Sequence, residues 1–238
     1  MSDKKTVLVT GCTSGMGLDL VRYLYETGYA VVLCGRSEEK LQALSGELDD
    51  AFYCVCDVNE DGQIKAVFER LKEAGIRLDG LVHCAGTGSN VPIRLFQEEE
   101  MRAQMQIHYY AFLQFMKYFY KKTVSNDGAS VVGVSSMAVL TKRKGSTLYT
   151  AAMNAMNTAV QIGSKEFLKR GIRVNSIMPA YVDTPMNAEL HEYVNIDEAQ
   201  PMGMIPPRAV SGIIEFLLSD KSRYITGANI PVSAGMEG

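Results

Sequence analysis

Seven short apolar runs punctuate this chain of 238 residues: TVLVT (6–10), AVVLC (30–34), FYCVC (52–56), LDGLVHC (78–84), ASVVGVS (129–135), IRVNSIM (172–178) and NIPVS (229–233). They are continuously apolar rather than alternating, the pattern of parallel strands covered on both faces. Amphipathic stretches at 15–27, 38–48, 60–74, 97–122, 148–170 and 207–219 separate them, and each reads as a helix with one apolar stripe. Gly28, Gly75 and Gly171 each follow a helical stretch and suit a left-handed cap there. Strand–helix alternation of this kind predicts an α/β fold, a doubly wound parallel sheet of about seven strands with right-handed crossovers. One domain over 1–238 is expected, since no repeat, low-complexity tract or linker interrupts the pattern. The rhythm breaks once, at 184–208 (TPMNAELHEYVNIDEAQPMGMIPPR). A loop of that length inside a compact domain is usually functional.

Charge and composition then narrow the classes. A net charge of -3 argues against a nucleic-acid partner and against attraction to anionic membranes. No apolar stretch approaches the roughly 20 residues that span a bilayer. The N-terminus MSDKKTVLVTG runs into the first strand without the apolar core of a signal peptide, so a cytoplasmic setting is expected. The five cysteines (Cys12, Cys34, Cys54, Cys56, Cys84) are odd in number and complete no zinc set. They read as small buried thiols, and no metal site is expected.

The first strand opens into Thr10-Gly11-Cys12-Thr13-Ser14-Gly15-Met16-Gly17. Glycines at a strand–helix junction let the chain turn tightly and bring helix N–H groups close to a pyrophosphate. Its place after the first strand favours nucleotide binding over a merely structural turn. The second strand ends in Cys34-Gly35-Arg36-Ser37. An acid that would hold two ribose hydroxyls is replaced there by Gly35, while the Arg36 guanidinium can pair with a 2′-phosphate; NADP is preferred to NAD, with a solvated arginine as the alternative. Farther along, Ser136 follows the fifth apolar run, and Tyr149 comes thirteen residues later at the start of a helix.

The glycine spacing, Ser136 and Tyr149 together resemble the short-chain dehydrogenase/reductase family. The resemblance spans essentially the whole chain and implies a Rossmann-like fold. It also implies hydride transfer between a nicotinamide and a small-molecule carbonyl substrate, with Tyr149 passing the proton and Ser136 polarising the oxygen. On the same ground Asp57 and Val58 frame the adenine. Cys84, Ala85 and Gly86 contribute backbone near the cofactor, Tyr149 contacts it, and Val182 and Thr184 hold the carboxamide. Thr13, Ser14 and Met16 belong to the loop with Gly11, Gly15 and Gly17. The segment 184–208 would cover the substrate, and a homodimer or homotetramer would form through the fourth and fifth long helices.

Four positions depart from that pattern. The family's lysine four residues after the tyrosine is Met153, and the enoyl-reductase alternative at seven residues is Met156. Lys165 lies about 24 Å farther along a helix rising 1.5 Å per residue. The first two residues of the Asn-Asn-Ala-Gly pattern are His83 and Cys84, and the relay asparagine of the fourth helix is His108. A histidine can carry protons near neutral pH; equally, His108 can be a packed histidine satisfied by a backbone carbonyl. Lys142-Arg143-Lys144 reads as a solvated turn in preference to an anion site. Two functions therefore stand side by side: an NADP-dependent carbonyl reductase, or a catalytically impaired protein of this fold that binds nucleotide or serves as a non-catalytic subunit.

Overall fold

Every apolar run forms a strand in the computed structural model, which describes residues 4–49, 51–188 and 194–238. The strands are β1 Thr6–Thr10, β2 Ala30–Gly35, β3 Tyr53–Val55, β4 Leu78–His83, β5 Ser125–Val134, β6 Arg173–Pro179 and β7 Asn229–Val232. All pair in parallel, in the order β3-β2-β1-β4-β5-β6-β7. The strand β5 starts four residues before the apolar run, because Ser125 pairs with Leu78 across a register shift. The main helices are α1 Gly15–Glu26, α2 Glu38–Glu47, α3 Gln63–Glu73, α4 Glu98–Met105, α5 Ala111–Phe119, α6 Ala138–Thr141, α7 Thr147–Glu166, α8 Ile196–Ala199 and α9 Pro207–Leu218. Within the segment 184–208, residues 189–193 lie outside the described residues.

Side chains alternate across the sheet, and both faces are filled. Leu8, Leu81 and Val131 face a layer that includes Phe68 of α3, Phe112 and Phe115 of α5, and Val160 of α7. Val7, Val9, Val82 and Val132 face Leu20 and Leu24 of α1 and Val210 and Ile214 of α9. Phe112, Phe115 and Phe119 are completely buried, each contributing about 1.5–3 kcal/mol. Burial on both sides explains why the runs read as solid apolar blocks.

The expected single helix over 97–122 is broken. Between α4 and α5 lies a π-turn, Gln106–Tyr110, of the kind that often marks functional sites. His83 accounts for its anchorage. The ring is fully buried at the end of β4, with Nε2 3.0 Å from the Ile107 carbonyl inside the π-turn and Nδ1 3.0 Å from Thr10 Oγ1. A carbonyl only accepts, so Nε2 carries the proton and Nδ1 accepts from the Thr10 hydroxyl. The same Thr10 oxygen accepts from the Cys84 and Ala85 N–H groups, at 3.2 Å each. One buried junction thus joins β1, β4 and the π-turn. The chain continues from β1 to β2 on one side and from β4 to β5 on the other, so the strand order reverses here and a crevice lies at the strands' C-terminal ends.

Burial pushes the His83 imidazole down to about 4 from 6.5, only partly offset by the Ile107 carbonyl. The unfolded chain takes up that proton first, so stability is complete above pH 6.5 and is lost as pH falls toward 4. Between pH 7.5 and 5 this ring alone should remove about 2 kcal/mol. Urea denaturation at both pH values should show a larger acid loss in the wild type than in His83→Asn, by about that amount; equal losses would contradict the assignment.

Candidate active site

A cavity of about 940 Å³ opens at the C-terminal ends of the central strands, at the upper end of the usual range for ligand pockets. Its wall carries Arg36, Lys40, Arg143 and Lys144 and, among the described residues, no aspartate or glutamate. One end is built by the loop between β1 and α1. Gly11 has φ +66°, and a Cβ there would lie 2.8 Å from the Ala85 backbone, so the loops after β1 and β4 touch only because this residue is glycine. Ser14 precedes α1 without capping it through its side chain. The first N–H groups of α1 have no helical partner and border the cavity.

Beyond this loop, a Cβ on Gly35 would lie 3.3 Å from Thr13 Cγ2, which leaves little room for an acidic side chain. Arg36, Ser37 and Lys40 follow in the wall. Uncapped helix N–H groups, a cationic pair past β2 and the missing acid fit a dinucleotide carrying an extra phosphate.

At the other end stand Ser136, just after β5, and Tyr149, in the first turn of α7; both line the cavity. Ser136 Oγ accepts from the Ala138 N–H at 3.1 Å, which orients the hydroxyl and leaves its proton free to donate. Burial raises Tyr149 above its ordinary value, with the Ser136 hydroxyl pulling it back only in part, and no cation contributes. Tyr149 is therefore a neutral phenol at pH 7. Met153 explains the absence of a cation in packing terms. It is 2% exposed, within a cluster of Met137, Val139 and Met178 that also touches Tyr149 and Met236. Met156, one turn on, is fully buried in the layer with α5.

His108 sits in the π-turn with its ring edge-on to Tyr149, centroids 5.3 Å apart. Its Nε2 donates to the Thr87 carbonyl at 2.9 Å, and Nδ1 is buried without a partner among the described residues. Burial pushes this ring down to about 4, against the opposing pull of the Thr87 carbonyl. The carbonyl bond belongs to the packed reading of His108; the contact with Tyr149 belongs to the relay reading. The π-turn produces both.

The structure brings most of the residues singled out in the sequence to one wall: Gly11, Thr13, Ser14, Gly15, Met16, Gly17, Arg36, Val58, Cys84, Ala85, Gly86, Ser136, Tyr149, Val182 and Thr184. Asp57 is not part of it; its carboxylate accepts from the Asn59 backbone and side chain at 3.0 and 2.8 Å. His108 lies behind Tyr149 rather than in the wall. Lys142, Arg143 and Lys144 are all exposed, in keeping with a solvated turn, and Arg143 and Lys144 also border the cavity. Their place in the short turn before α7 puts them there, and no periodicity reports that. Lys40, Asn90 and Met236 also line the cavity; Lys40 was legible as the position one turn into α2, while Asn90 and Met236 carry no local signal.

Comparison with known proteins agrees with this geometry. Residues 11–237 match the family model described as enoyl-(acyl carrier protein) reductase. The chain is 28% identical over 236 residues to the 3-oxoacyl-(acyl-carrier-protein) reductase FabG of Rickettsia conorii, covering 98% of this chain and 96% of that one. A short-chain type dehydrogenase/reductase from Mycobacterium ulcerans superposes with a TM-score of 0.88 at 26% identity, over 100% of this chain and 93% of the other. An actinorhodin polyketide ketoreductase variant solved with NADPH gives 0.87 at 25% identity, over 98% and 97%. With its seven-stranded parallel sheet, its glycine loop and a family match over nearly its full length, this chain belongs to the short-chain dehydrogenase/reductase family.

Proposed function

We propose that the protein is an NADP(H)-dependent oxidoreductase that reduces a carbonyl compound, with Tyr149 as proton donor and Ser136 as the hydrogen-bond donor to the carbonyl oxygen. The observation that carries this reading is the shared wall: Tyr149 and Ser136 border the same cavity as the uncapped N-terminus of α1 and the cations Arg36 and Lys40. The NADPH held by the polyketide ketoreductase and the reductase relatives support it. A bound NADPH would supply the hydride.

The residues of this chain do the rest. The N–H groups at the start of α1 hold the pyrophosphate, and Arg36 with Lys40 hold the 2′-phosphate. Ser136 donates to the carbonyl oxygen, and Tyr149 delivers a proton to that oxygen as negative charge develops. A neutral tyrosine suits reduction. Alcohol oxidation needs the phenolate, and with no cation beside it only a small fraction of Tyr149 ionises near neutrality. His108 acts as a positioning residue, pressing its ring edge against Tyr149. The methionine cluster around Met153 favours a second reading, a nucleotide-binding protein with little turnover, because it removes the cation that would also have tuned the tyrosine.

Tyr149→Phe should lower carbonyl reduction 10²–10⁴-fold, on the order of a lost general acid, with NADPH binding by fluorescence little changed; unchanged turnover would overturn the assignment. Wild-type reduction should stay flat from pH 6 to 9, while alcohol oxidation rises about tenfold per pH unit, the phenolate fraction below a raised pKa. An oxidation plateau below pH 8 would reveal another base. If NADPH binds but a broad ketone panel is never reduced, the second reading stands.

Arg36→Ala should weaken NADPH about 10–100-fold while changing NADH much less, the loss of a charge-assisted bidentate contact. Equal losses would remove the NADP preference. Met153→Lys buries an unpaired ammonium among methionines and should cost roughly 2–4 kcal/mol, seen as a lower thermal midpoint. A stable variant would show that the cluster has room for a charge.

A further inference from the structure

The cavity wall carries four cations and no described acid on a chain of net charge -3. They fall into two pairs. Arg36 and Lys40 follow β2, whereas Arg143 and Lys144 follow β5, and β1 and β4 lie between these strands. Three strand spacings, about 14 Å, separate β2 from β5. The phosphates of a dinucleotide belong to the β1–β2 side, so the β5 pair is left to face something else.

Arg143 of that second pair is held in place. Arg143 and Lys144 sit in the turn entering α7, where the Arg143 carbonyl accepts from the Ser146 N–H at 3.1 Å and from Ser146 Oγ at 2.7 Å. The guanidinium stacks on the Tyr181 ring, 5.2 Å from its centroid. Tyr181 is itself clamped: its N–H donates to Gln200 Oε1 at 2.8 Å, and its carbonyl accepts from Gln200 Nε2 at 3.0 Å, with Gln200 fully buried. The Tyr181 hydroxyl is buried with no partner among the described residues, and neither Arg143 nor Lys144 has an ion-pair partner among them. A guanidinium that lies over an aromatic ring and makes no ion pair has N–H groups left for a bond to an oxyanion.

We propose that the substrate of this site carries an anionic head group, a carboxylate or a phosphate, which Arg143 binds through its guanidinium N–H groups with Lys144 as second cation. Its carbonyl then lies between this anchor and Tyr149, six residues farther along the same turn and helix. This inference rests on the oxidoreductase reading for the chemistry, but not for the binding.

Calorimetric titration separates the two. Acetoacetate is compared with its methyl ester, and dihydroxyacetone phosphate with dihydroxyacetone, on the nucleotide-free chain and on the chain saturated with NADP⁺. In at least one pair the anion should bind about tenfold or more tightly than its neutral partner, and the preference should shrink at high salt. Whichever pair shows it identifies the head group. Arg143→Gln and Lys144→Gln should abolish most of the preference, and Arg143→Lys should retain part of it; both side chains are exposed, so these changes leave the core intact. Equal binding within both pairs, or a preference that survives both glutamine substitutions, overturns the inference. Failure to bind NADP⁺ would count against the oxidoreductase reading alone, since the anion comparison is also made on the free chain.

Discussion

The Thr10 hydroxyl is the point on which this architecture turns. It accepts from two N–H groups of the loop after β4 and donates to the buried His83 ring, which in turn donates to the π-turn carbonyl of Ile107. The Thr10 hydroxyl and the His83 ring are buried, so both must be satisfied within the protein. Meeting that demand brings the glycine loop, the end of β4 and the helix carrying His108 to fixed positions around one crevice. A neutral histidine does this with one donor and one acceptor, and burial keeps it neutral. The crevice is thus held open by hydrogen bonds made in its walls.

Electrostatics then divides the crevice. Its wall carries only positive charge among the described residues, whereas Tyr149 packs against the buried apolar cluster of Met137, Val139, Met153 and Met178. The low-dielectric cluster raises Tyr149, and the absence of a nearby cation leaves it raised. A neutral phenol results. A wall whose charges are all of one sign concentrates anions in the crevice.

The seven strands and the glycine loop were legible in the chain because each depends on local chemistry. Short solid apolar runs rich in β-branched residues, alternating with amphipathic stretches, suit strands covered on two sides, and Gly11 and Gly17 tolerate the contacts they make because they lack a Cβ. The pairing of Ser136 with Tyr149, and Met153 at the place of the family's lysine, were visible through the resemblance to the short-chain dehydrogenase/reductases; helix geometry adds only that a residue four positions on shares the tyrosine's face. Arg36 was legible as the residue that ends a strand.

Three features were decided only by the tertiary structure. The long helical stretch at 97–122 breaks into a π-turn because His83, on a distant strand, bonds the Ile107 carbonyl; no helix propensity encodes a partner supplied from elsewhere. Arg143 and Lys144 have the composition and the exposure of a solvated turn, and only the fold shows that this turn borders the cavity with the Arg143 guanidinium over the Tyr181 ring. Met153 reads as a lost cation in the sequence, and only packing shows it sealed into an apolar cluster and absent from the cavity wall. Local patterns determine which elements form, because strands and helices follow from neighbours along the chain. Where a side chain points, and whether its charge is tolerated there, depends on groups that meet only after folding.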